Sequence, residues 1–175
     1  MKTLYLAYNR TNPEQNSHFT ASVIDWLKKT CECDRVIGMK ISELKLVPKS
    51  RRGKFLKNGV KLEPHEEDTA NVLTLYGFTV DVIKPLNTPK VHNADFLIDG
   101  VIWEVKSPLS SNKKTIKKRM HEASEQSERV VVDLRRIKKD YRSVEKDIID
   151  RFCNKGTFRR MIIINKTGSV FYYEK

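Results

Sequence analysis

One short segment near the middle of the chain, residues 93–107, constrains the fold more than any other stretch. It contains two apolar runs, residues 96–98 and 101–103, separated by Asp99 and Gly100. An Asp-Gly pair between apolar runs is the strongest short-range signal for a two-residue β-hairpin. The segment therefore predicts two antiparallel strands joined by a tight turn.

Three ionisable side chains lie at the open end of this predicted hairpin: Asp95, Glu104 and Lys106. Side chains alternate along a strand, so Glu104 and Lys106 project from the same face. Hairpin pairing brings Asp95 close to Glu104. Two carboxylates can hold a hard cation such as Mg²⁺ or Mn²⁺, and a nearby lysine can orient the attacking water. The group predicts metal-dependent phosphodiester hydrolysis.

The same three residues have a simpler interpretation. A Glu-x-Lys pair on an exposed strand is usually a solvated ion pair, and so short a motif needs structural context. Phe96 and Trp103 indicate a core hairpin, however, and a core hairpin has little reason to carry charges unless they pair or bind something.

The overall charge favours a polyanionic partner. The 175 residues include 34 Lys and Arg against 22 Asp and Glu, a formal net charge of +12, which favours nucleic acid without excluding a merely basic soluble protein. The first ten residues do not read as a signal peptide, and no apolar run reaches transmembrane length, so no membrane association is expected. Three cysteines without a secretory signal predict reduced thiols and a cytoplasmic location.

The order of predicted elements defines an α/β fold. From Leu62 onward the pattern predicts α-β-β-β-α-β-α-β-β, a mixed sheet flanked by helices. We assign residues 62–175 to this domain, residues 49–61 to a basic linker and residues 1–48 to a small α/β extension. The extension is predicted to contain strands at 3–8 and 36–41 and a helix that begins near Ser17.

Two further residues are candidates because of their places on helices. Glu66 lies in the first turn of a helix that begins at Pro64, beside its buried face. It either complements the helix dipole or reaches the hairpin as a third carboxylate. Gln126 lies at the end of the next helix, where it can face the site.

Basic residues cluster in three places and are candidate nucleic-acid contacts. The clusters in the linker and at the helix start have the alternative interpretation of a solvated surface. The candidates are Arg51, Arg52 and Lys54 in the linker, Lys113, Lys114, Lys117 and Lys118 at a helix start, and Arg135 and Arg136 after a buried strand.

Three stretches together resemble a known family: HEEDTANVLTLYGFTVDVI, ADFLIDGVIWEVKSPLS and TIKKRMHEASEQSERVVVDLRRIK. They are similar to the C-terminal tRNA-nuclease domain of bacterial contact-dependent growth inhibition toxins, within the PD-(D/E)XK nuclease superfamily. The resemblance covers the chain from about Leu62 onward. It implies a restriction-endonuclease-like core in which Glu66, Asp95 and Glu104 bind metal, Lys106 is the motif lysine and Gln126 helps to shape the site. Ala94 stands where the superfamily motif has proline.

These observations lead to the expectation of a metal-dependent endonuclease acting on RNA, including tRNA. The resemblance also implies an immunity or inhibitor protein as a partner. The methionine start favours a free-standing relative of the toxin domains. The alternatives are a DNA endonuclease of a mobile element or defence system, and a non-catalytic nucleic-acid-binding protein on the same fold.

Overall fold

The computed structural model describes residues 37–40, 52–84, 94–154 and 157–175, and within them it has eight strands and three helices. The helices are α1 (Pro64–Leu75), α2 (Lys113–Gln126) and α3 (Tyr141–Asn154). The strands are β1 (Ile37–Lys40), β2 (Phe55–Leu56), β3 (Val80–Val82), β4 (Phe96–Ile98), β5 (Val101–Lys106), β6 (Arg129–Asp133), β7 (Arg160–Ile164) and β8 (Val170–Glu174).

The described strands form one mixed sheet in the order β1-β8-β7-β6-β5-β4-β3-β2. Its centre is parallel, because α2 and α3 carry the chain back between β5, β6 and β7. Hairpins add β4 and β8 antiparallel on either side. The predicted mixed α/β architecture and the predicted order of elements from Leu62 onward are both confirmed.

Helices cover both faces of the sheet. On one face, the buried residues Ala70 and Leu73 of α1 pack in the main core with Trp103 and Val105 of β5. On the other face, Phe152 of α3 packs against the ring of Tyr173, with the ring centroids 6.2 Å apart. The alternation of side chains along β5 therefore directs Glu104 and Lys106 away from α1.

The predicted hairpin forms with the expected turn. Phe96 pairs with Trp103 and Ile98 with Val101, which leaves Asp99 and Gly100 as the connection. Both turn residues have positive φ, 50° and 77°, as a two-residue turn of the Asp-Gly type requires.

Two strands come from segments that the sequence assigned elsewhere. Strand β2 lies within the predicted linker 49–61 and pairs in parallel with β3. The physical reason is close packing: a Cβ on Gly53 would lie 1.7 Å from the carbonyl oxygen of Phe78, so only glycine allows this approach. Strand β1 confirms the strand predicted at 36–41 and pairs with β8, although the sequence assigned it to the extension 1–48. The domain boundaries themselves stay predictions.

Several predictions lie outside the described residues. These are the strand at 3–8, the helix near Ser17 and the side chain of Arg51. None of the helices in the described part of the chain has the length and apolar character needed to span a bilayer.

Candidate active site

The hairpin places Asp95 and Glu104 opposite each other. Phe96 pairs with Trp103, so the next pair toward the open end is Asp95 with Glu104. The backbone N–H of Val105 donates a hydrogen bond of 2.8 Å to Asp95 Oδ2, which fixes the aspartate against β5. The predicted proximity of the two carboxyl groups is therefore present in the structure.

Glu104 is a buried acid with one unsatisfied oxygen. Its side chain is 1% exposed. Oε1 accepts a hydrogen bond from Lys106 Nζ, whereas Oε2 is buried and has no hydrogen-bond partner. Burial, followed by the charge of Asp95, raises the pKa of Glu104 to about 7. A buried oxygen without a partner is costly, so this atom is expected to bind a proton or a cation.

Asp95 shares this environment. Burial is the largest cause that raises its pKa, and the charge of Glu66 raises it further. The N–H of Val105 and the charge of Lys106 act in the opposite direction. The charge of Asp95 is the second cause, after burial, that raises the pKa of Glu104, so the two acids titrate as an interacting pair.

Lys106 connects the acids to α2. Its ammonium group donates to Glu104 and also to Gln126 Oε1, at 3.2 Å. The lysine side chain is 18% exposed, so the site is not sealed from solvent. The structure thus brings four predicted residues together: Asp95, Glu104, Lys106 and Gln126.

Glu66 has a different role in the structure. Its Oε2 accepts a 2.9 Å hydrogen bond from the N–H of Glu63, in a capping box at the start of α1. It acts on Asp95 through its charge. In the described part of the chain, no group of three or more His, Cys, Asp and Glu side chains is arranged to hold a metal ion. The three-carboxylate ligand set stays a prediction.

The pair of acids by itself fits a hard divalent cation. All of its ligand atoms are carboxylate oxygens, the kind that Mg²⁺ and Mn²⁺ prefer. The unsatisfied Oε2 of Glu104 offers one coordinating atom. Burial is the largest cause that raises the pKa of both acids, and a bound divalent cation would offset this cost of ionisation.

The predicted basic contacts differ in how they are held. Arg52, Lys54 and the lysines of α2 are exposed. Arg135 and Arg136 are partly buried and lie just after β6, the strand next to β5. Arg136 Nη1 donates to the carbonyl oxygen of Ser107, at 3.3 Å, which places it beside the end of β5. Among the predicted contacts, Arg136 is therefore held beside the end of β5, and Arg135 precedes it in the same turn.

Sequence reasoning missed a buried polar group at the end of β6, on the α1 face of the sheet, opposite to the face of Glu104 and Lys106. Asp133 is 1% exposed and Thr69 is fully buried, and their side chains are hydrogen bonded at 2.7 Å. An acid at the end of the apolar run Val130 to Val132 was the available signal, since an unpaired charge is rarely tolerated there.

The chain is similar to one family of bacterial toxin domains. Residues 92–170 match the model of the contact-dependent growth inhibition CdiA C-terminal domain. This span contains Asp95, Glu104, Lys106 and Gln126 but not Glu66. No curated protein matches the chain.

A solved structure has a similar fold. It is a chain of the CdiA-CT/CdiI toxin and immunity complex from Burkholderia pseudomallei, with a TM-score of 0.54 and 19% sequence identity. The similarity covers 70% of this chain and 100% of that chain. At this identity the likeness concerns the fold.

Proposed function

We propose that this protein is a metal-dependent endonuclease that hydrolyses phosphodiester bonds in RNA, including tRNA, and acts as a toxic effector. The observation that carries the proposal is the pairing of Asp95 with Glu104 beside Lys106. The match to a toxin-domain family and the net charge of +12 support a nucleic-acid substrate.

Asp95 and Glu104 are the residues that would hold Mg²⁺ or Mn²⁺, with Glu66 nearby to add negative charge. When bound, the metal would polarise the scissile phosphoryl group and lower the pKa of a coordinated water. Because cation binding requires both carboxylates, Glu104 must first release its proton, which its pKa of about 7 permits near neutral pH.

Lys106 serves the attacking water in this proposal. Glu104 and Gln126 hold its ammonium group from two sides, which limits the directions in which the remaining N–H groups can point. One of these N–H groups orients the water and offsets charge that develops on the phosphate. Gln126 is a positioning residue, since it acts through the lysine.

An acidic immunity protein is the partner that we propose for this chain. The similar solved structure is described as a toxin and immunity complex, and a basic toxin surface is complementary to an acidic inhibitor. We place the activity in the cytoplasm, where RNA is available.

The test is cleavage of two substrates by the purified protein. Total tRNA and plasmid DNA are incubated with Mg²⁺, Mn²⁺ or EDTA, using wild type, Lys106→Ala and the control Lys146→Ala, which changes an exposed lysine of α3. We expect metal-dependent cleavage of discrete tRNA bands that only Lys106→Ala abolishes.

Other outcomes separate the alternatives. Cleavage of plasmid alone would assign the protein to DNA endonucleases of mobile elements or defence systems. Undiminished cleavage by Lys106→Ala would contradict the proposed role of the lysine. Salt-sensitive binding without cleavage under any metal condition would favour a non-catalytic nucleic-acid-binding protein.

A further inference from the structure

A buried carboxylate at the end of β6 organises a second group of residues. Asp133 Oδ1 accepts hydrogen bonds from the backbone N–H and from Nε of Arg135, both at 3.0 Å. Asp133 Oδ2 accepts from Arg135 Nε at 3.0 Å and from Nη2 at 2.5 Å. Both oxygens of the Asp133 carboxylate therefore accept hydrogen bonds from Arg135, and Oδ2 also accepts one from Thr69 of α1.

Thr69 links this pair to α1. Its Oγ1 lies 2.7 Å from Asp133 Oδ2 and 2.8 Å from the carbonyl oxygen of His65, and the single hydroxyl hydrogen is shared between them. Thr69 is one helical turn after Glu66, so the same contact fixes the start of α1 against the sheet.

Arg135 is held in one orientation while part of its guanidinium stays accessible. Its side chain is 28% exposed. Its backbone is fixed by Lys166 Nζ, which donates to the carbonyl oxygen of Arg135 at 2.6 Å. Nε and Nη2 are turned toward Asp133, and no hydrogen bond from Nη1 is present among the residues that the structure describes. The hydrogen bonds from Asp133 raise the pKa of Arg135, so the group is always charged.

Arg135 also lies at the same edge of the sheet as the candidate active site. Lys106, at the end of β5, pairs with Val132 in the parallel register, and Arg135 lies in the turn that follows the end of β6 at Asp133. Its neighbour Arg136 contacts Ser107 at the end of β5. A nucleic-acid backbone bound at Asp95 and Glu104 can therefore place another phosphate at Arg135.

We infer that Arg135 is a pre-organised phosphate-binding residue for the RNA substrate and that Asp133 is the residue that positions it. The inference rests on the proposed function, since it concerns the same bound RNA. A planar guanidinium can bind a carboxylate on one edge and a phosphate on another. Asp133 thus contributes to RNA binding although its own charge opposes RNA.

Charge alone predicts that removal of an acid strengthens RNA binding, whereas the inference predicts that removal of Asp133 weakens it. This difference makes the inference testable. A second arginine–acid pair, Arg159 with Glu128, provides a matched control. Its Nε–Oε2 distance is 3.1 Å, its side chains are 73% and 56% exposed, and both residues precede their strands, at the opposite end of the sheet from Arg135. Arg135→Gln and Arg159→Gln change the net charge equally, as do Asp133→Asn and Glu128→Gln.

The experiment measures binding of fluorescein-labelled tRNA in EDTA, where no cleavage occurs, at several KCl concentrations. We expect Arg135→Gln to weaken binding about tenfold and to reduce the slope of log K against log salt by about 1, with a smaller effect for Arg159→Gln. Asp133→Asn should also weaken binding, whereas Glu128→Gln should leave it unchanged or tighten it. In the Arg135→Gln background, Asp133→Asn should have no further weakening effect.

Two results would overturn the inference. One is tighter binding by Asp133→Asn, as simple removal of a negative charge predicts. The other is that Arg135→Gln and Arg159→Gln change the affinity for tRNA equally. A protein that does not bind tRNA at all would also contradict the inference. If circular dichroism shows that Asp133→Asn is unfolded, Arg135→Gln and Arg135→Lys provide the test. Arg135→Lys keeps the positive charge but loses the planar guanidinium group, so it should still weaken tRNA binding. Binding of this kind without cleavage in metal would support the inference and contradict the nuclease proposal.

Discussion

Asp95 and Glu104 face each other at the open end of the β4–β5 hairpin, and the charge of Asp95 raises the pKa of Glu104. Two neighbouring acids in a largely buried site oppose each other's ionisation, and a bound cation favours it. The hairpin therefore holds a site whose charge state depends on pH and on metal, and the predictions below follow from that dependence and from the packing around it.

The stability of the metal-free protein should fall as pH rises toward neutrality. The pKa of Glu104 is raised from 4.5 to about 7 in the folded state. Between these values the folded protein keeps a proton that the unfolded chain has lost, so the contribution is present below about pH 4.5 and is lost as pH rises through 7. We expect a loss of about 2 to 3 kcal/mol from this group.

The measurement is chemical denaturation in EDTA at pH 5, 6, 7 and 8 for wild type and Glu104→Gln. The glutamine keeps the shape of the side chain but does not titrate, so its free energy of unfolding should decline less over this range. Parallel curves for the two proteins would show that Glu104 has an ordinary pKa.

Removing the contact between Gln126 and Lys106 should slow catalysis more than it weakens substrate binding. Gln126 Oε1 and Glu104 Oε1 both accept from the Lys106 ammonium group, and loss of the Gln126 contact frees the lysine to move. For Gln126→Leu we expect kcat to fall about tenfold or more, with KM nearly unchanged.

The matched control is Glu125→Gln on the same helix, because Glu125 is 65% exposed and pairs with His121. It should leave kcat within about twofold of wild type. A rise in KM with an unchanged kcat for Gln126→Leu would instead mean that the residue binds substrate directly.

Gly53→Ala should destabilise the protein by about 2 to 3 kcal/mol, because the new methyl group would overlap the carbonyl of Phe78. The strand β2 would have to separate from β3. Thermal unfolding measures the effect, and Gly59→Ala serves as the comparison. Gly59 has φ of +74° and open space around it, so alanine there costs only backbone strain of about 1 kcal/mol. Equal shifts in Tm would indicate that β2 is not packed as described.

The core of the fold was predictable from local pattern. The Asp99-Gly100 turn sets the register of its hairpin through local backbone geometry, and this register places Asp95 opposite Glu104. The central strands β6 and β7 are nearly continuous apolar runs, which is typical of strands buried on both faces.

What the sequence did not give depends on contacts distant along the chain. Strand β2 has only two residues and forms because Phe55 and Leu56 lie beside β3, more than twenty positions later. The role of Asp133 depends on Thr69, which is 64 positions away. Glu66 accepts a hydrogen bond from the backbone N–H of Glu63 at the start of α1 and also influences the site. In the sequence, a glutamate that caps a helix cannot be distinguished from one that binds a metal.

The most direct test of the account is Mn²⁺ binding by the protein without nucleic acid, measured by electron paramagnetic resonance at pH 7.5. Wild type, Asp95→Asn, Glu104→Gln and Lys106→Met are compared, with Asp147→Asn, an acid of α3 paired with Arg151, as the control. We expect one Mn²⁺ site in wild type, Lys106→Met and the control, and at least tenfold weaker binding in Asp95→Asn and Glu104→Gln. Equal Mn²⁺ affinity in all five proteins, or none in wild type, would contradict the claim that Asp95 and Glu104 form a metal site.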